Sequence, residues 1–154
     1  MHNIRVYGIL INDQQQVLVS DEYIRGAYIT KLPGGGLEFG EGTRGCLKRE
    51  FKEEMDLEVE VGDHIYTTDF FQISAFNKAH QIISIYYYVK ALEPIKAPLR
   101  LNRFEFDAQQ MEYYKNVKQE IESFRFINLV DFSADSMDLP IDKIVADIIK
   151  SSLP

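Results

Sequence analysis

"GGLEFGEGTRGCLKREFKEEMDL", residues 35–57, sets a glycine-rich loop in front of a helical pattern that carries Glu50, Glu53 and Glu54 close together. On a helical wheel from Thr43 to Met55, at about 100° per residue, Leu47, Phe51 and Met55 form one stripe that must face a core. The three glutamates occupy the adjacent arc, with Cys46 one turn earlier, while Lys48 and Lys52 point elsewhere. Like charges at i, i+4 cost about 0.2–0.5 kcal/mol per pair. Their place in the second half of the helix opposes the dipole by roughly 0.3–1 kcal/mol each. A divalent cation reverses these penalties, and oxygen-rich clusters with open water positions suit Mg²⁺ or Mn²⁺. An isolated E-x-x-E-E run reads as a solvated acidic face; the loop ahead of it shifts that reading.

Gly34, Gly35 and Gly36 follow Pro33, and Gly40 and Gly42 come soon after. Glycine lets the backbone turn tightly and approach a ligand closely, so this loop can aim a peptide carbonyl or N–H at a metal or a phosphate. Glu41 and Arg49 bracket the first turns of the helix, and Arg49 can reach back to Glu41 and tie loop to helix.

Working outward, "RVYGILI" (5–11) and "VLVSDEY" (17–23) read as a β-hairpin around "NDQQQ", and "AYITKL" (27–32) as a third strand stopped by "PGGG". "LEVEVG" (57–62) alternates as a strand that Gly62 ends. "IYTTDFFQIS" (65–74) and "HQIISIYYYVKAL" (80–92) read as a further pair of central strands. The 93–120 stretch has no clean period and is long for a connection, which suits a substrate lid, a dimer arm or local packing. "SFRFINL" (123–129) reads as a last strand. "DLPIDKIVADIIKSSL" (138–153) places Ile141, Ile144, Val145, Ile148 and Ile149 at helical spacing, with Pro140 in the first turn. Strands interleaved with helices predict an α/β layered domain with a mixed sheet.

At 154 residues the chain is long enough for one domain with a real core. A net charge of −7 disfavours nucleic acid as a partner, since phosphate-backbone binding needs clustered Lys and Arg. A small phosphate-bearing ligand remains compatible when a cation supplies positive charge. The single cysteine, Cys46, excludes an internal disulfide and is expected to pack in the core. The N-terminal stretch lacks a signal-peptide layout, and no run approaches the roughly 20 apolar residues of a membrane helix. The expected setting is cytoplasmic, with no membrane partner. His2, His64 and His80 show no ligand spacing. One of Tyr86, Tyr87, Tyr88, Phe70 or Phe71 is a candidate for stacking on a base or sugar.

The stretch resembles the signature of the Nudix hydrolase family, G-x5-E-x7-R-E-U-x-E-E-x-G-U, where U is bulky and apolar. Here it runs Gly35, Glu41, then Arg49-Glu50-Phe51-Lys52-Glu53-Glu54-Met55-Asp56-Leu57. Every fixed position is met except the late glycine, which is Asp56. Asp enters the left-handed region more readily than most residues, so a small stability cost and intact chemistry are expected.

The resemblance implies an α/β/α sandwich with a mixed β-sheet between helices, as a single domain over residues 1–154. It implies Glu50, Glu53 and Glu54 as metal ligands with the Gly34 carbonyl, and Gly35, Gly36 and Glu41 as the loop that cradles substrate. Arg49 and Glu41 would hold that loop to the helix, and Glu50, Glu53 and Arg49 are the implied catalytic set. Glu120, with Glu122 beside it, is a candidate for an additional ligand or base ahead of the last strand; both also read as exposed charges.

Family members cleave a nucleoside diphosphate linked to another moiety, usually with Mg²⁺, with Mn²⁺ as the alternative. ADP-ribose or a nucleotide sugar is favoured over an oxidised nucleoside triphosphate. Homodimerisation is common among resembling proteins. The competing reading is a Nudix-like domain that binds a nucleotide as a sensor without cleaving it. Such domains often lose box glutamates, and this chain keeps them all.

Overall fold

In the computed structural model, residues 1–117 and 120–153 are described. The chain divides into two compact units, Met1–Leu10 with Pro33–Lys96, and Ile11–Leu32 with Ala97–Pro154.

The first unit holds β1 (His2–Leu10), β4 (Gly34–Gly36), α1 (Thr43–Met55), β5 (Val59–Thr67) and β6 (Gln81–Ala91). Its sheet runs β4-β1-β6-β5, with β1 parallel to β6 and the other pairs antiparallel, so it is the expected mixed sheet. Cys46, Leu47, Phe51 and Met55 of α1 are buried, as the wheel required. A Cβ on Gly8 would come 2.8 Å from the Phe51 ring, so a glycine in β1 makes room for the helix's largest core side chain. Asp56 caps the helix with φ 50° and ψ 44°, the left-handed conformation a glycine would take; its N–H donates to the Lys52 carbonyl and the Leu57 N–H to the Phe51 carbonyl.

Two sequence expectations are corrected in this unit. Gly62 does not end a strand. β5 passes through it with register shifts between Val61 and Tyr66, and a Cβ on Gly62 would lie 3.3 Å from the Tyr88 carbonyl. The strand expected over 65–74 stops at Thr67, and 68–80 is a loop that exposes Phe70 and Phe71. β5 is an edge strand, whereas β6 is central and buries Tyr86 and Tyr87. Aromatic and β-branched content marks a strand only in the context of what packs against it.

The second unit holds β2 (Gln16–Ile24), β3 (Ala27–Lys31), α2 (Ala108–Val117), β7 (Ile121–Asn128) and α3 (Pro140–Ser152). Its sheet is antiparallel, in the order β3-β2-β7. Arg25 and Gly26 both have positive φ at the β2–β3 turn, the two-residue geometry that suits the twist of a hairpin. α3 buries Ile141, Val145, Ala146 and Ile149 and starts with Pro140 in its first turn.

The 93–120 stretch contains α2, which its sequence pattern does not announce; residues 118 and 119 lie outside the described residues. α2 has no fully buried side chain and therefore no apolar stripe. It is started by Asp107 and Gln110, whose side chains each accept the other's backbone N–H at 2.8 and 3.0 Å. Ahead of it, Phe104 (φ 56°) donates its N–H to the fully buried Asp21, and Arg103 bonds Thr30 and Asp138. That part of the connection is pinned to its own sheet. Among the described residues no helix is long and apolar enough to cross a membrane.

Candidate active site

The glycine run forms β4, whose backbone pairs with β1 at Tyr7–Gly34, Val6–Gly35 and Arg5–Gly36. Gly34 has φ 146°, and a Cβ there would collide with the Val6 carbonyl, so this position admits only glycine. A Cβ on Gly35 would fall 2.5 Å from the Glu50 carboxyl carbon. The Glu50 carboxylate therefore lies directly over the Gly35 backbone, in a cradle that any side chain would fill.

Arg49 joins loop and helix. Its Nε and Nη2 donate to the two Glu41 carboxylate oxygens at 2.9 and 2.7 Å, a bidentate pair. Nη2 also donates to the Gly36 carbonyl at 3.0 Å, and Nη1 to Glu50 at 3.0 Å and Glu53 at 3.1 Å. Glu38 stands 3.6 Å from the same guanidinium, and its N–H donates to Glu41. The guanidinium holds the Glu41 carboxyl well below the usual range, at about 2, with help from the Glu38 backbone. The Arg49 pKa is raised in return. Thr43 shares a 2.7 Å hydrogen bond with the Tyr87 hydroxyl, and Arg44 lies 4.7 Å over that ring, so β6 fixes the first turn of α1. Tyr87 is thereby committed to holding the helix and Tyr86 is buried, which takes both away from stacking on a ligand.

One guanidinium thus serves four carboxylates, with Glu54 half-buried on the next helical position. The excess negative charge and the all-oxygen donors match the chemistry of a hard divalent cation. As placed, the side chains are spread around Arg49. Among the described residues, no group of three or more His, Cys, Asp or Glu stands close enough to hold a metal ion. Glu50 is mostly buried, whereas the Glu53 side chain is 59% exposed and has freedom to turn. Cys46 is inert core: burial, with Glu41 adding, pushes its thiol up to about 12, and it donates to the Gly36 carbonyl at 3.5 Å.

The family profile described as NUDIX domain matches residues 1–148. The chain belongs to the Nudix hydrolase family. No curated protein gives a significant match. A Nudix hydrolase structure from Nitrosomonas europaea is 15% identical over 98% of this chain and 90% of its own, with a TM-score of 0.67. A MutT protein structure from Methanosarcina mazei Go1 is 16% identical over 99% and 96%, with a TM-score of 0.65. An ADP-ribose pyrophosphatase structure from Streptococcus suis 89-1591 is 14% identical over 98% and 92%, with a TM-score of 0.57. At these identities the likeness shows the fold. The family is one of pyrophosphate-cleaving hydrolases that generally use divalent metals, and this Nudix box departs from its pattern only at Asp56, which adopts the required backbone.

The second unit of the Nudix domain carries a polar cluster of which the sequence pattern gives little sign. Glu22 of β2 and Glu122 of β7 are direct cross-strand partners, and Ser20 bonds both, at 3.2 and 3.3 Å. Lys31 of β3 pairs with Glu22 at 3.1 Å. Like charges opposite one another destabilise a sheet, and here they are largely out of water. Burial, then the Glu22 charge, pushes the Glu122 carboxyl up to about 8, and burial raises Glu22 as well against the pull of Lys31. The two facing carboxyls therefore favour holding a proton between them. Glu120 is exposed, just ahead of β7.

The sign of the linkage is fixed by that upward shift. A carboxyl that holds its proton more tightly when folded contributes fully below its unfolded value near 4.5, and the contribution is lost as pH rises towards about 8. Glu122→Gln is expected to flatten this decline, gaining roughly 1–3 kcal/mol on the parent at pH 8 relative to pH 5, after discounting for partial exposure. Urea unfolding of both proteins at several pH values measures it; parallel stability curves would show that the pair does not share a proton.

Proposed function

We propose that the chain is a Mg²⁺-dependent pyrophosphohydrolase acting on a nucleoside diphosphate linked to another moiety, with ADP-ribose or a nucleotide sugar favoured over an oxidised nucleoside triphosphate. The observation that carries this reading is the Arg49 clamp, which locks the glycine loop and the carboxylate helix into one rigid piece. A charged diphosphate demands a fixed, pre-formed set of groups, because reorganisation at the moment of reaction costs rate. The preference for ADP-ribose or a nucleotide sugar is part of the proposal and stays at the level of substrate class, because the box sets the reaction and not the leaving group.

Glu50, Glu53 and Glu54, with the Gly34 carbonyl, would hold the cation. When bound, a divalent cation supplies charge neutralisation at the diphosphate and a lowered pKa for the attacking water. Arg49 and Glu41 would keep the loop backbone in place, with Gly35 and Gly36 as the part of the loop that would cradle the phosphates; at Gly35 the missing side chain leaves room for the Glu50 carboxylate. Glu53, the most exposed of the trio, would take a proton. Glu120 is a second candidate base. A cytoplasmic setting is part of the same proposal.

The test is product analysis with ADP-ribose, a nucleotide sugar and an oxidised nucleoside triphosphate, each with Mg²⁺ and with chelator. Cleavage at the diphosphate that disappears with chelator is expected, fastest for one of the first two. Binding without cleavage of any of them would overturn the assignment.

A further inference from the structure

The glycine strand β4 has a second charged neighbour besides Glu50. Arg5 of β1 stands directly across from Gly36, as Val6 stands across from Gly35. Successive residues of a strand face opposite sides of the sheet. A side chain at Gly35 would run into the Glu50 carboxylate, and one at Gly36 would meet Arg5 Nη1 at 3.7 Å. A carboxylate therefore lies on one side of β4 and a guanidinium on the other. β4 is also the edge of its sheet. The Gly8 N–H donates to the Pro33 carbonyl and the Leu37 N–H to that of Ile4. The alternation of an antiparallel pair then points the Gly35 backbone at Val6, and the Gly34 and Gly36 backbones away from β1 towards the edge. Arg49 Nη2 reaches the Gly36 carbonyl from the helix, as that direction requires.

Arg5 is held in this place. Its Nε donates to the Tyr7 hydroxyl at 2.6 Å, and the buried Tyr7 ring packs on buried Tyr86 with centroids 5.4 Å apart. The arginine itself is half-buried. A guanidinium set in advance loses little freedom on binding, and its planar fork matches phosphate oxygens. The other two arginines of this unit are spent elsewhere. Arg49 is surrounded by four carboxylates, which cancel its charge, and Arg44 donates to the Val61 and Gly62 carbonyls. We propose that Arg5 binds the substrate's diphosphate, gripping a phosphate on the Gly36 side of β4 while the acidic helix lies on the Gly35 side. The ligand class rests on the pyrophosphohydrolase reading above.

Calorimetry with Mg²⁺ and an uncleavable ADP-ribose analogue, its phosphates bridged by methylene, tests this without turnover. Arg5→Gln should weaken binding roughly 10–100-fold, the loss expected for a hydrogen bond to a charged group. Arg5→Lys should recover part of that loss, because it keeps the charge and gives up the fork. Methylenediphosphonate, which has no base or sugar, should lose affinity by the same factor when used as a competitor. Mn²⁺ uptake without ligand should stay within about twofold of the parent, since the change lies on the other side of the strand from Glu50. A parent that binds the analogue through Arg5 yet cleaves no ADP-ribose would remove the hydrolase assignment and leave Arg5 in its role. Four results would each overturn the proposal: an Arg5→Gln protein that binds both probes within about twofold of the parent, a loss confined to the nucleotide analogue, Mn²⁺ uptake that falls together with ligand affinity, or a parent that binds neither probe.

Discussion

Glutamine at position 53 is expected to lower turnover by roughly 10²–10⁴-fold, the range for removing a group that handles charge or a proton in the transition state. The substitution keeps shape and removes only the negative charge. Its cost to the fold should be small. The Glu53 side chain is 59% exposed and meets Arg49 as an i, i+4 pair at 3.1 Å, an interaction worth about 0.3–0.5 kcal/mol at most. Arg49 keeps its bidentate hold on Glu41 and its contact with Glu50, so loop and helix stay joined. The melting temperature should therefore move by no more than about 2 °C, while Mn²⁺ uptake followed by electron paramagnetic resonance weakens. Turnover within about threefold of the parent would remove Glu53 from the machinery. A large loss of melting temperature would recast it as a structural residue.

What is legible in the sequence is what local spacing alone determines. The buried stripe of α1, the Arg49–Glu41 pair and the left-handed Asp56 cap each depend on residues a few positions apart on one helix and its loop. The features that escape such a reading depend on register between distant strands. That Glu22 faces Glu122 follows only from knowing that β2 and β7 pair with those residues opposite. That β5 runs through Gly62, and that the aromatic stretch after it is a loop, depends on where β6 lies across from it. β4 is three glycines whose strand character comes wholly from pairing with β1. α2 is hidden for another reason: without an apolar stripe it gives no helical period. Its one local signal is the Asp107-x-x-Gln110 cap, three residues apart at the end of a stretch dominated by prolines and aromatics.

Asparagine in place of Asp21 should cost the fold far more than the Glu53 change, about 3–5 kcal/mol, because it leaves a largely buried guanidinium without its counter-charge. Asp21 is fully buried, and each of its oxygens is committed. Oδ1 accepts from the Thr30 hydroxyl at 2.7 Å and from Arg125 Nη2 at 3.1 Å. Oδ2 accepts from Arg125 Nε at 2.6 Å and from the Phe104 N–H at 3.2 Å. An asparagine can keep only one acceptor oxygen, and its NH₂ group must point a donor at Arg125 whichever way the amide is turned. For a chain of this size the melting temperature is expected to fall by roughly 10–15 °C. The damage should reach the connection first, since Phe104 sits at φ 56°, a conformation a bulky residue keeps only when held. Hydrogen exchange at Phe104 and its neighbours should then accelerate more than exchange in the centre of β2. A drop of less than about 3 °C would show that Arg125 finds water or another partner on its own. Replacing Asp21 and Arg125 together by leucine separates charge from packing: recovery of most of the loss would mean that the pair itself adds little and that the penalty lies in orphaning one half of it.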